Sequence, residues 1–141
     1  MTEHFSEWEF RCRCGCGEMR VSSFLLEGLE AMRSIVERPI FITSGCRCPV
    51  HNARVGGHVN SRHLTRFGSQ LRKSDAADIV VAGYSVRRMF RVAREVECFS
   101  DGGIGVYRGE GFLHVDVGLS KKRWYRARRG EPMTKVPQNF Y

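Results

Sequence analysis

A chain of 141 residues suits one domain with a core large enough to stand without staples, so 1–141 is expected to fold as a single unit. No apolar run approaches the roughly 20 residues of a membrane span, and Met1-Thr2-Glu3-His4-Phe5-Ser6 lacks the basic and apolar regions of a secretory signal; the expectation is a chain made in the cytoplasm. The net charge of +8, from 23 Lys plus Arg against 15 Asp plus Glu, favours a polyanionic partner.

In chain order, a cysteine-rich segment at 10–18 comes first. Ser23 is then placed to cap a helix through about Glu37, with Leu25, Leu26, Leu29, Met32, Ile35 and Val36 at helical spacing, and Pro39 stops it. Ile40-Phe41-Ile42-Thr43 reads as a short buried strand, followed by an irregular loop at 44–49 and a turn of helix around His51 to Val55 that ends at Gly56-Gly57. Asp78-Ile79-Val80-Val81 is a second strand. Ser85 opens a second helix to about Glu97, with Val86, Met89, Phe90, Ala93 and Val96 inward. A hairpin closes the regular part, Ile104-Gly105-Val106-Tyr107 turning through Arg108-Gly109-Glu110-Gly111 into Phe112-Leu113-His114-Val115-Asp116-Val117. Positive charge concentrates at Arg62, Arg66, Arg72 and Lys73 and in a basic tail over about 119–141, which holds Lys121, Lys122, Arg123, Arg126, Arg128 and Arg129.

The period of two in the last strand puts Phe112, His114 and Asp116 on one face and Leu113, Val115 and Val117 on the other. A His beside an Asp on a strand backed by an apolar set is costly to bury without partners, and a metal ion would satisfy both. Two histidines and an acid are what a catalytic zinc needs, since such a site keeps a fourth position for water.

Ile42-Thr43-Ser44-Gly45-Cys46-Arg47-Cys48-Pro49, His51-Asn52, Val55-Gly56-Gly57, Ser61-Arg62-His63-Leu64, Ala76-Ala77-Asp78-Ile79, Gly102-Gly103-Ile104-Gly105-Val106-Tyr107 and Phe112-Leu113-His114-Val115-Asp116 with Trp124 follow one another over roughly residues 5 to 125. In that order they resemble the zinc D-alanyl-D-alanine peptidases, cell-wall metallopeptidases whose fold is shared with the hedgehog signalling domain. The resemblance implies an α+β fold, with a small antiparallel sheet carrying the zinc and helices packed on it. It implies His63, Asp78 and His114 as zinc ligands, Arg47 as the arginine that faces the substrate carbonyl and holds the oxyanion, and Ser61 as a support for the substrate or the ligand loop. A serine at 61 equally suits capping a turn.

The chain departs from the family pattern twice. The first histidine and the aspartate are normally seven residues apart, whereas His63 and Asp78 are fifteen apart; the extra residues, about 66–73, read as an extruded loop, with Asp75 as the rival ligand. Many relatives place the general base three residues before the last histidine, where this chain has Gly111. Asp116, about 6 to 7 Å along the strand from His114, is the leading substitute and Glu110 the runner-up; the other reading makes Asp116 a carboxylate that orients His114.

Cys12, Cys14 and Cys16 would project to one side of an extended segment, and with Cys48 they have the makings of a second, structural zinc site. A disulfide from Cys46 or Cys48 back to the first cluster and plain reduced thiols stay equally open. The resulting expectation is a monomeric zinc-dependent peptidoglycan peptidase that cuts a peptide bond near D-alanine in a wall stem or cross-link. Its basic surface would suit an acidic wall polymer, and its bare domain a phage lysis or wall-entry enzyme. Two other classes remain: a non-catalytic hedgehog-like zinc domain, supported by Gly111, and a basic zinc protein that binds nucleic acid, drawing on Cys46-x-Cys48-x-x-His51.

Overall fold

Local sequence sets most element ends in the computed structural model, which describes residues 1–141. Helix α1 (Ser23–Val36) is capped one residue earlier than expected: the Ser22 hydroxyl accepts a hydrogen bond from the Phe24 N–H at 3.2 Å. Its C-cap, Glu37, is left-handed at φ 52°, the only non-glycine residue with positive φ. Leu25, Leu26, Leu29, Met32 and Val36 are buried as their spacing predicts, but Ile35 is exposed, because it lies at the edge of the apolar stripe. Strand β1 (Ile40–Ser44) follows, then α2 (Pro49–Arg54), opened by Pro49 at its first position and by the Cys48 sulfur accepting from the His51 N–H.

The residues expected as an extruded loop form a two-stranded hairpin instead, β2 (Arg66–Phe67) and β3 (Gln70–Leu71), turned by Gly68 at φ 56°. Strand β4 (Ala76–Val81) precedes a helical stretch that breaks in two where one helix was expected. Helix α3 (Val86–Ala93) is capped by Ser85, and α4 (Glu97–Ser100) starts afresh after Val96 adopts an extended conformation. Strands β5 (Gly103–Tyr107) and β6 (Phe112–Asp116) form the expected hairpin, with Gly111 at φ 77°. The basic tail holds an unexpected strand, β7 (Lys122–Arg126), in which only Tyr125 is buried.

The five long strands form one sheet in the order β1-β4-β6-β5-β7. It is antiparallel except at its edge, where β7 runs parallel to β5. Pleating gives the sheet two unlike faces. Ile40, Ile42, Ala77, Ile79, Val81, Leu113, Val115, Ile104, Val106 and Tyr125 face the helices and belong to one core of 26 buried residues reaching from Phe5 to Phe140. The architecture is therefore α+β. On the opposite face the register sets Asp78 directly across from His114 and His114 across from Gly105, and that face carries the chemistry.

Candidate metal centre

Two of the three converging side chains are placed by sheet register alone, since Asp78 on β4 and His114 on β6 are cross-strand partners. The third, His63, arrives on a loop stitched to the 44–48 segment. The Arg47 N–H donates to the His63 carbonyl at 2.8 Å and the Thr65 N–H to the Arg47 carbonyl at 3.0 Å. The Ser61 hydroxyl accepts from the His63 N–H at 3.2 Å, which is the turn-capping role considered for it.

His63 Nε2, His114 Nδ1 and Asp78 Oδ1 stand at the corners of a triangle with every side 3.2 Å. Zinc bonded to nitrogen or oxygen at 2.0–2.1 Å in a tetrahedron needs ligand atoms about 3.3 to 3.4 Å apart, so the three atoms fit one ion with a corner to spare. The far nitrogens fix which atoms are free. His63 Nδ1 donates to the Gly45 carbonyl at 2.7 Å, and His114 Nε2 donates to Asp116 Oδ2 at 2.8 Å, so in the neutral rings the remaining nitrogens turn their lone pairs inward.

Charge points the same way. Burial alone would raise the Asp78 carboxyl, but His63 and His114 outweigh it and hold it below the usual carboxylate range. Burial would also raise Asp116, yet the His114 ring and the backbone N–H groups of Gly118 and Gly103 keep it down at about 2. His63 is pushed down by burial. Burial acts in the same sense on His114, but the hydrogen bonds and charges of Asp116 and Asp78 prevail and lift it to about 9. Two buried carboxylates and the single cation of Arg47 leave a negative balance. Without metal a proton on His114 cancels it; a dication in place of that proton would leave one net positive charge at the centre.

Arg47 reaches the same cluster from its loop. Its guanidinium donates to Asp78 Oδ2 at 3.0 Å, to the Ser44 hydroxyl at 3.1 Å and to Asn52 Oδ1 at 3.4 Å. The buried Asn52 also donates to the His58 carbonyl at 2.9 Å, and a Cβ on Gly57 would stand 2.0 Å from its oxygen, which explains that glycine; Gly56 beside it takes a left-handed φ of 72°. Neither the Asn52 role nor the Gly45 carbonyl was foreseen from sequence. The Trp124 ring lies 5.0 Å from the His114 ring and its indole N–H donates to the Tyr107 hydroxyl at 3.0 Å. That approach needs Gly105, where a Cβ would lie 2.3 Å from the indole.

The acids expected to compete for other roles are occupied elsewhere. Asp75 is paired with Arg62 and Arg72 outside the cluster. Glu110, exposed on the hairpin turn, is paired with Arg126. Asp116 is engaged through both oxygens: Oδ2 takes His114 Nε2, and Oδ1 accepts from the N–H groups of Gly103 and Gly118, each at 2.9 Å. Its contact is thus on the side of the imidazole remote from Nδ1, the geometry of a carboxylate that orients the ring.

A second cluster joins Cys12, Cys14, Cys16 and Cys48, whose sulfurs lie within 4.8 Å of one another. All six cysteines are unbridged, and Cys46 stands apart, buried with its thiol on the Arg20 carbonyl. No helix is long and apolar enough to cross a membrane.

The peptidase M15 family profile matches residues 3–116, spanning all three converging side chains and the first cysteine cluster. No curated protein matches the sequence.

Proposed function

The chain belongs to the peptidase M15 family, and from that premise we propose that it is a zinc-dependent peptidoglycan peptidase hydrolysing a bond near D-alanine in a stem peptide or cross-link. The observation that carries the reading is the 3.2 Å triangle of His63 Nε2, His114 Nδ1 and Asp78 Oδ1. Support for the wall substrate comes from the ordered resemblance of the motifs and from the exposed Lys121, Lys122, Arg128 and Arg129, which suit an acidic polymer. Other members of the basic set are spent on structure, Arg123 donating to the Ser100 and Gly102 carbonyls and Arg66 pairing with Glu18.

Zinc bound by the three side chains supplies a Lewis acid and an activated water at neutral pH. The protein's own share is positioning. Gly45 and Asp116 fix the two rings by their far nitrogens, so that neither imidazole needs to reorganise. Arg47 clamps Asp78 and keeps a fixed positive charge beside the ligand atoms, where a substrate carbonyl oxygen would gain negative charge. Asp116 acts as the positioning partner of His114, in place of the base role that led the expectations.

The test is to incubate the purified protein and its His114→Ala variant with peptidoglycan fragments and to read the products by mass spectrometry. Cleavage next to D-alanine by the parent alone is expected. Absence of any cleavage by zinc-loaded parent would refute the enzyme reading and leave the non-catalytic zinc domain in its place.

A further inference from the structure

Three of the four clustered sulfurs come from a segment whose Cys-x-Cys-x-Cys spacing is tighter than the usual zinc knuckle. The fold explains how they converge. The segment is a tight turn rather than an extended strand: the Gly15 N–H donates to the Cys12 carbonyl at 3.2 Å, and the Cys12 N–H to the Glu18 carbonyl at 2.7 Å. Gly15 and Gly17 take φ of +85° and +89°, a left-handed backbone that other residues adopt only with strain. Cys48 completes the group from the loop after β1.

The distances distinguish a metal site from a disulfide. Cys12 Sγ to Cys14 Sγ is 3.4 Å and Cys14 Sγ to Cys48 Sγ is 3.7 Å. A disulfide needs about 2.05 Å, whereas four thiolates bonded to zinc at 2.3 Å lie about 3.8 Å apart. Two backbone N–H groups are aimed at sulfur, Cys48 N–H to Cys12 Sγ and His51 N–H to Cys48 Sγ, each at 3.4 Å, which suits sulfurs carrying negative charge. An all-thiolate tetrahedron selects zinc over the hard cations.

We infer that Cys12, Cys14, Cys16 and Cys48 bind a second, structural zinc that locks the 44–48 loop against the N-terminal segment and so positions the histidine centre. The linkage is short. Cys48 follows Arg47, which clamps Asp78, and lies three residues after Gly45, whose carbonyl holds His63. The same loop is pinned to the N-terminal segment by the Cys46 N–H on the Phe10 carbonyl at 2.8 Å, and a Cβ on Gly45 would stand 2.7 Å from Phe10 Cα. Arg13 adds a bond from its guanidinium to the Ile42 carbonyl at 2.7 Å. Loss of the thiolate metal frees one side of this clamp while leaving the histidine ligands in place.

Metal content tests the site independently of any activity; the turnover arm alone rests on the peptidase reading. The full chain, purified under reducing conditions with zinc, is expected to hold two zinc ions, and His114→Ala one. A Cys14→Ser/Cys16→Ser double variant, which changes only exposed thiols, is also expected to hold one. Cobalt loading gives a second readout: the thiolate-to-cobalt charge-transfer band should appear in the parent and in His114→Ala and be absent from the cysteine variant. The cysteine variant should retain the histidine-site metal yet turn over about tenfold more slowly, the range for losing support behind a ligand. One zinc in the parent with no thiolate band, iron in place of zinc, or a mass two hydrogens short for a disulfide would overturn the site. Full turnover by the cysteine variant would overturn its positioning role.

Discussion

Replacing Asp116 by Asn separates the two roles that a carboxylate beside a ligand histidine can play. The side chain makes three contacts, with His114 Nε2 at 2.8 Å and with the N–H groups of Gly103 and Gly118 at 2.9 Å, and all three partners donate. An amide offers only one accepting oxygen. If it faces Nε2–H, the amide nitrogen is driven against two backbone N–H groups. If it faces those groups, the imidazole must shift its proton to Nδ1, the atom turned toward Asp78 and His63. Either arrangement opposes the metal, so zinc affinity should fall by about 10- to 100-fold, or about 1.4 to 2.7 kcal/mol. A residue acting as base would behave differently: zinc would bind as tightly as in the parent while turnover dropped by about 10²- to 10⁴-fold. Competition against a chromophoric chelator gives the affinity, and hydrolysis at saturating zinc gives the turnover. Unchanged affinity with turnover lost would refute the positioning argument, and an unchanged value for both would remove Asp116 from the site altogether.

In the Cys14→Ser/Cys16→Ser variant, which keeps only the histidine centre, zinc should bind more tightly as pH rises toward about 9, because His114 is lifted to about 9 and its Nδ1 proton must leave; calorimetry at pH 7.5 in buffers of different ionisation heat should show about one proton released from His114. The same shift is a stability term for the metal-free fold: a raised histidine stabilises below its ordinary 6.5 and loses that contribution as pH climbs through 9. Asp116, lowered to about 2, contributes above its ordinary 3.8 and fails as pH falls toward 2. Thermal midpoints of the metal-free chain should therefore be highest between roughly pH 4 and 6.5 from these two groups. Glu110→Gln, which touches only the exposed pair with Arg126, should leave turnover within about twofold, and a loss near 10²-fold would return it to the mechanism. Gly105→Ala places a methyl 2.3 Å from the Trp124 indole and should cost about 1–3 kcal/mol, read as a lower midpoint together with altered Trp fluorescence.

Sequence periodicity located the strand face that carries His114 and Asp116, because alternation survives in a strand buried on its apolar side: Leu113 and Val115 are fully buried in the core. It missed β7 because Lys122-Arg123-Trp124-Tyr125-Arg126 has no apolar alternation; the strand is held by pairing with β5 and by Tyr125 alone in the core. The break between α3 and α4 was hidden for the opposite reason, since Phe90, Ala93, Val96 and Phe99 are all buried and keep an apolar pattern across the discontinuity. At the site, ligand identities came from ordered motifs, but the roles of their supports did not. Gly45 acts through its carbonyl and Asn52 through a contact made only after the 44–60 segment has folded, and neither leaves a side-chain pattern to read.

The long spacing between His63 and Asp78 shows how such a centre tolerates insertion. His63 is held by the Gly45 carbonyl, which accepts from its Nδ1, by the Arg47 N–H, which donates to its carbonyl, and by the Ser61 hydroxyl, which accepts from its N–H, all three partners preceding it in the chain. Chain length between it and Asp78 enters none of these contacts. The added residues close on themselves, the Arg72 N–H returning to the Thr65 carbonyl at 2.9 Å at the base of the hairpin, and the Asp75 N–H to the Arg62 carbonyl at 3.2 Å. Residues joined across an antiparallel pair are about 5.5 Å apart, a gap that a two-residue turn spans. Replacing residues 66–71 by Asn-Gly should therefore preserve zinc at the histidine centre. Its cost should be small, since Arg66, Phe67, Gln70 and Leu71 are exposed and only the Arg66–Glu18 pair and the stacking of Arg72 on Phe67 are lost. Zinc lost from a variant that still folds would mean that the hairpin holds His63 in place, and the argument from the Gly45 and Arg47 contacts would fail.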